Sequence, residues 1–149
     1  MRSSAFLPAL LAPLSTAILT GISVPATLAP SAPYTITLLS ENYIQAVADV
    51  AVAWGYATPA SAYPRTLGGY TSSSYLGPDK SNQLENVTVE TTAPAELGNL
   101  GTEAVVSVSL FSLFGKGGTP SVQTWNVTVG VGESVSGEVV SKEAVKGVA

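Results

Sequence analysis

Over most of its length this chain never keeps one local character for long. Short apolar runs give way to clusters of Gly, Pro, Ser and Asn at spacings of roughly ten residues, which leaves no window for a long helix and sets the cadence of an all-β sandwich or barrel. Residues 34–39 alternate strictly, with Tyr34, Ile36 and Leu38 on one face and Thr35 and Thr37 on the other, the period of a half-buried strand. Residues 47–54 are apolar on both parities apart from Asp49, as in a central strand covered on both sides. Further strands are expected at 22–24 (an edge, because proline follows), within 67–75, at 84–91, over 103–114 as the longest, and over 122–131. Residues 93–101 read as a turn region with one helical turn, and Gly115-Lys-Gly-Gly-Thr-Pro120 closes a hairpin. Seven or so antiparallel strands in about 110 folded residues fit an immunoglobulin-like β-sandwich. Trp54, packed with Val50 and Val52, then serves as its core tryptophan.

The ends read differently. Arg2, the apolar run at 6–14 and the small residues Ser15 and Ala17 have the layout of a cleaved signal peptide, with the cut after Ala17. The expected organisation is a leader at 1–17, a sandwich domain at 18–133 and a flexible tail at 134–149. No later run approaches the ~18 apolar residues of a spanning helix, so a secreted monomer without membrane insertion is expected. A net charge of −4 with six scattered basic residues argues against nucleic acid, which demands clustered cations. With no cysteine, the core must hold without the disulfides common in small secreted domains.

Histidine is absent as well. Triad chemistry, thiolate chemistry and zinc sites are thereby excluded together. A two-carboxylate glycosidase remains conceivable on inventory, but Asp49, Asp79, Glu85, Glu90 and Glu96 form no acidic cluster, so no catalytic, metal or cofactor residue is assigned and no enzyme activity is expected. Asp49 is the odd one, a carboxylate in an apolar strand. It is expected to face outward, or to pair with Lys80 or Arg65; the functional alternative is an anchor for a partner's arginine. Asn86-Val-Thr88 and Asn126-Val-Thr128 are glycosylation acceptors, and strand alternation turns each Asn and its Thr toward solvent. Two places offer contact area for a protein partner. One is the loop with Tyr70, Tyr75, Leu76, Asp79 and Lys80; the other is the strand end with Phe111, Leu113 and Phe114 beside Lys116.

Six segments carry a family resemblance: Ser40-Glu-Asn-Tyr-Ile-Gln45, Asp49-Val-Ala-Val-Ala-Trp-Gly55, Tyr75-Leu-Gly-Pro-Asp-Lys-Ser-Asn82, Asn86-Val-Thr-Val89, Ser109-Leu-Phe-Ser-Leu-Phe-Gly115 and Trp125-Asn-Val-Thr-Val-Gly130. As an ordered set they resemble the necrosis-inducing secreted protein family of plant-colonising filamentous fungi. The resemblance implies a non-enzymatic effector that binds host receptor-like and co-receptor kinases, blunts pattern-triggered signalling and provokes cell death in some members. It also implies a route into the host cytoplasm. The hairpin at 115–120, the stretch at 98–102 and the tail with Lys142 and Lys146 depart from the family pattern. The alternative on residues alone is an extracellular wall- or glycan-binding module, which requires a row of exposed aromatics drawn from Trp54, Trp125 and the loop tyrosines.

Overall fold

The computed structural model describes residues 16–143. The alternating runs become β1 (Ala17–Pro25), β2 (Thr27–Leu28), β3 (Pro33–Asn42), β4 (Val47–Ala57), β5 (Gly69–Tyr75), β6 (Val87–Thr92), β7 (Glu103–Phe114), β8 (Thr119–Val131) and β9 (Val139–Glu143). They form a four-stranded sheet in the order β6-β3-β1-β9 and a five-stranded sheet in the order β2-β8-β7-β4-β5. All pairings are antiparallel except β2 with β8. The all-β, two-sheet expectation holds, with nine strands among the described residues in place of about seven.

The two additional strands are the ones sequence cannot announce. β2 is only two residues long. β9 lies in the segment expected to fray, yet it pairs with β1 from Gly21↔Glu143 to Pro25↔Val139. That pairing also puts β1 between β3 and β9, so the strand around Ile22 is interior to its sheet and not an edge. β8, at 13 residues, outruns β7 at 12. The leader's first fifteen residues lie outside the described region, as do residues 144–149 of the tail. Thr16 and Ala17 are described, and both are tied down. Thr16 Oγ1 donates to the Tyr43 carbonyl, and the Ala17 N–H donates to Asn82 Oδ1 at 3.0 Å.

The core lies between the inner faces. Trp54 stands opposite Val108, and Val108 opposite Trp125, so both tryptophans flank one valine in a single buried row. Ile22, Leu38 and Val87 form a facing row in the other sheet. Tyr34 and Tyr56, one from each sheet, meet through their hydroxyls at 2.6 Å. Burial, with Tyr56 beside it, drives the Tyr34 hydroxyl far above the ordinary phenol range, so both rings remain neutral.

Register breaks in β4 between Asp49 and Ala51. A bulge inserts one residue and reverses the parity beyond it. Val47 and Asp49 face inward before the break, and Val52, Trp54 and Tyr56 face inward after it. The apolar residues on both parities of 47–54 therefore reflect a bulge as well as a central position. It also leaves Val50 half-buried, outside the cluster around Trp54 that it was expected to join.

Tyr34→Phe removes one hydroxyl and leaves the other buried and less well satisfied. Urea unfolding should show a loss of about 1–2 kcal/mol. The double variant Tyr34→Phe/Tyr56→Phe should lose less than the sum of the two single variants, because no orphan hydroxyl remains.

Candidate functional site

Five of the six quoted segments converge on one end of the sandwich. The 3-10 turn Pro78–Lys80 carries a chain of contacts that clasps β4. The Leu76 N–H donates to the Val50 carbonyl at 2.9 Å. Ser81 Oγ lies 2.9 Å from both the backbone N–H and the carbonyl of Asp49, accepting from the first. The same hydroxyl lies 2.7 Å from the Gly77 carbonyl. Next to it, the Ser40 N–H donates to Asn86 Oδ1 at 2.9 Å. The Gly115 N–H donates to the Ala46 carbonyl at 2.9 Å, and the Tyr43 and Phe114 rings meet edge to face at 6.1 Å. Residues 40–45, 75–82, 86 and 112–115 thus hold one another in place.

Asp49 does not behave as expected from sequence. It is 2 % exposed, faces inward, and its Oδ1 accepts from Ser112 Oγ at 2.7 Å with neither Lys80 nor Arg65 as the partner. The physical reason is the bulge, which turns the Asp49 side chain toward the same side as Trp54. Lys80 lies close to Asp49, but its ammonium donates to the Thr88 carbonyl, 3.4 Å away. Burial raises the Asp49 carboxyl above its ordinary range, and the Ser112 hydroxyl offsets part of that rise.

The outer face of the five-stranded sheet is graded. Tyr75 stands opposite Ala51, Ala51 opposite Phe111, and Phe111 opposite Val122. This row crosses four strands, about 14 Å at ordinary strand spacing, and three of its members are large and exposed: Tyr75 at 70 %, Phe111 at 38 % and Val122 at 67 %. The row beyond it toward the hairpin is Ala48, Leu113 and Pro120. On the other side lie Ser73, Ala53, Ser109 and Thr124, with Ser109 Oγ and Thr124 Oγ1 bonded at 2.7 Å. Tyr75 keeps its position because Gly77, at φ +68°, leaves room for the ring; a Cβ there would come within 2.5 Å of it.

The residues expected at a partner surface are therefore divided. Tyr75, Phe111 and Leu113 are brought together on this ridge. Leu76 is a correction: it is 4 % exposed and belongs to the core, because the chain turns inward to bond Val50. Phe114 is half-buried against Tyr43, Lys116 is exposed on the hairpin, and Asp79 is exposed on the loop. Tyr70 is exposed, but it lies at the far end of β5. Sequence reading missed Ile44, 93 % exposed at the tip between β3 and β4, and Val122. An isoleucine in a polar loop and a valine in an alternating strand carry no signal that separates outside from inside.

Catalytic and glycan-platform readings find little here. Asp79, Glu85, Glu90 and Glu96 are exposed on separate segments while Asp49 is buried. No group of acidic residues among those described could hold a metal ion. Both tryptophans are buried, which takes them out of any glycan-binding row and leaves Tyr63, Tyr70, Tyr75 and Phe111 as the exposed aromatic rings. Fold and surface together define an all-β protein of two sheets with an exposed apolar ridge beside its clasped end.

The model of the Nis1 family matches residues 15–130. The chain is 44 % identical over 130 residues to necrosis-inducing secreted protein 1 of Colletotrichum higginsianum, covering 87 % of this chain and 89 % of that protein. It is 42 % identical over 123 residues to the protein of the same name from Colletotrichum orbiculare, covering 83 % and 75 %. The chain belongs to the Nis1 family of necrosis-inducing secreted proteins of filamentous fungi, and it is a secreted, non-catalytic effector.

The raised carboxyl sets a pH dependence. Because the folded-state value lies above the unfolded one, the Asp49 contribution is full below the unfolded value and declines as pH rises through the folded value. Asp49→Asn should flatten this component. Thermal midpoints of wild type and variant, measured from pH 3.5 to 8, should diverge progressively in the variant's favour toward neutral pH.

Proposed function

We propose that this effector suppresses pattern-triggered immunity in a host plant by occluding a docking surface on receptor-like and co-receptor kinases. The observation that carries the reading is the Tyr75–Phe111–Val122 ridge. It offers large, rigid, exposed side chains on a sheet face, held from behind by the clasped loops. Aromatic anchors of this kind concentrate binding energy, and family membership supports a host protein as the partner. Uptake into the host cytoplasm belongs to the same reading, since a kinase domain lies there, and so does cell death in the host, after the name of the Colletotrichum relatives. The leader at 1–17 provides the route out of the fungus.

The immunoglobulin-like assignment is part of this proposal. Its support is the strand order: β6-β3-β1 corresponds to strands E, B and A, and β8-β7-β4-β5 to G, F, C and C′. β2 then takes the role of a split first strand that pairs in parallel with the last. Chain crossings from β3 to β4 and from β6 to β7 pass between the sheets, as Greek-key connections do.

Phe111→Ala and Tyr75→Ala should each weaken binding to a purified co-receptor kinase domain by about 30-fold or more, the effect of a hot-spot residue of about 2 kcal/mol. Glu90→Ala, on the opposite sheet, should leave affinity unchanged. Titration by biolayer interferometry, with thermal midpoints for each variant, provides the check. Unaltered affinity in both ridge variants would remove the ridge from the interface.

A further inference from the structure

We propose that Asn126 carries an N-linked oligosaccharide whose first sugars lie in a groove built on the outer face of the five-stranded sheet. The groove is an open depression of about 900 Å³ beside β8, lined by Ala62, Pro64 and Arg65 from the loop between β4 and β5, with Ser109, Thr124 and Asn126 below. Its chemistry suits an N-acetylglucosamine pair: hydroxyls and a guanidinium for the sugar's polar edge, alanine and proline for its apolar face.

Three observations converge. Asn126 heads a complete acceptor triplet whose Val127 is buried and whose Thr128 is exposed, so the strand holds the acceptor amide outward at the groove. Ser107, directly opposite Asn126 in register, is 1 % exposed, and its hydroxyl has no hydrogen-bond partner. The amide retained by a glycosylated asparagine lies within cross-strand reach of that hydroxyl. The other acceptor differs. Asn86 is exposed, with its Oδ1 already accepting from the Ser40 N–H, and it does not line this groove.

Attachment happens during export, and the inference rests on secretion rather than on kinase binding. The donor is a lipid-pyrophosphate-linked oligosaccharide. A bond forms between Asn126 Nδ2 and the anomeric carbon, the anomeric carbon–oxygen bond to the lipid pyrophosphate breaks, and the Nδ2 proton passes to a base of the secreting cell's own transferase. Once seated, the sugars brace the 58–66 loop and border the apolar ridge, because Val122 lines the groove as well.

The test uses the full chain secreted from a filamentous fungus. Release with a peptide-N-glycosidase in ¹⁸O water, followed by peptide mapping, should convert Asn126 to labelled aspartate. Release should also speed tryptic cleavage after Arg65, which is exposed on the braced loop, by about threefold or more, since the loop then opens more often. Thr128→Ala, which abolishes the acceptor without touching Asn126, should reproduce the faster cleavage, whereas Asn86→Gln should not. Unmodified Asn126 in the secreted protein overturns the proposal, as does a glycan whose removal leaves the cleavage rate unchanged. Kinase affinity is read separately, so loss of either proposal leaves the other standing.

Discussion

A single extra residue in β4 organises this molecule. Without the bulge beside Val50, the alternation that turns Val47 inward would turn Trp54 and Tyr56 outward, and the buried row of two tryptophans around Val108 could not form. With it, the strand presents Val52, Trp54 and Tyr56 to the core and Ala51 to the outside, where the small side chain leaves Tyr75 and Phe111 on either side. The same irregularity carries the Asp49 carboxyl indoors. It also frees the Val50 carbonyl to accept from Leu76, which attaches the 75–82 loop.

Seen from this bulge, many residues of the six segments that carry the family resemblance are scaffold. Ser81 uses one hydroxyl to bridge β4 and Gly77, Asn82 receives the start of β1, and Ser40 and Asn86 close the gap between β3 and β6. Polar groups taken from water need their bonds met, and most of these are met by residues more than thirty positions away in sequence. The motif end is therefore stiff, and stiffness is what a contact surface needs if binding is not to spend its free energy on ordering loops.

Much of the fold was legible in the chain because it depends on local periodicity. The alternation at 34–39 produced β3 with the expected inner face, and the hairpin expected over 115–120 forms as a tighter turn at 115–118, with Gly115 and Gly118 at positive φ and β8 starting at Thr119. What was hidden depends on pairing at a distance. β9 reads as a polar tail until β1 is beside it. Asp49 looks like a surface charge until Ser112, 63 residues away, supplies its partner. Leu76 sits in a loop-like sequence where no period distinguishes an anchor from an exposed contact. The candidate surface was half visible for the same reason: composition pointed to Tyr75 and Phe111, but only the register shows them flanking one alanine.

The position of β1 has a consequence for biosynthesis. Among the described strands it is the first to leave the ribosome, yet its two neighbours, β3 and β9, come later, and β9 is the last of them. Until translation finishes, one side of β1 remains a row of unsatisfied amides and carbonyls, the kind of edge that invites misassociation. Closure of this side of the sheet therefore waits for the C-terminal strand, even where β1, β3 and β6 have already paired.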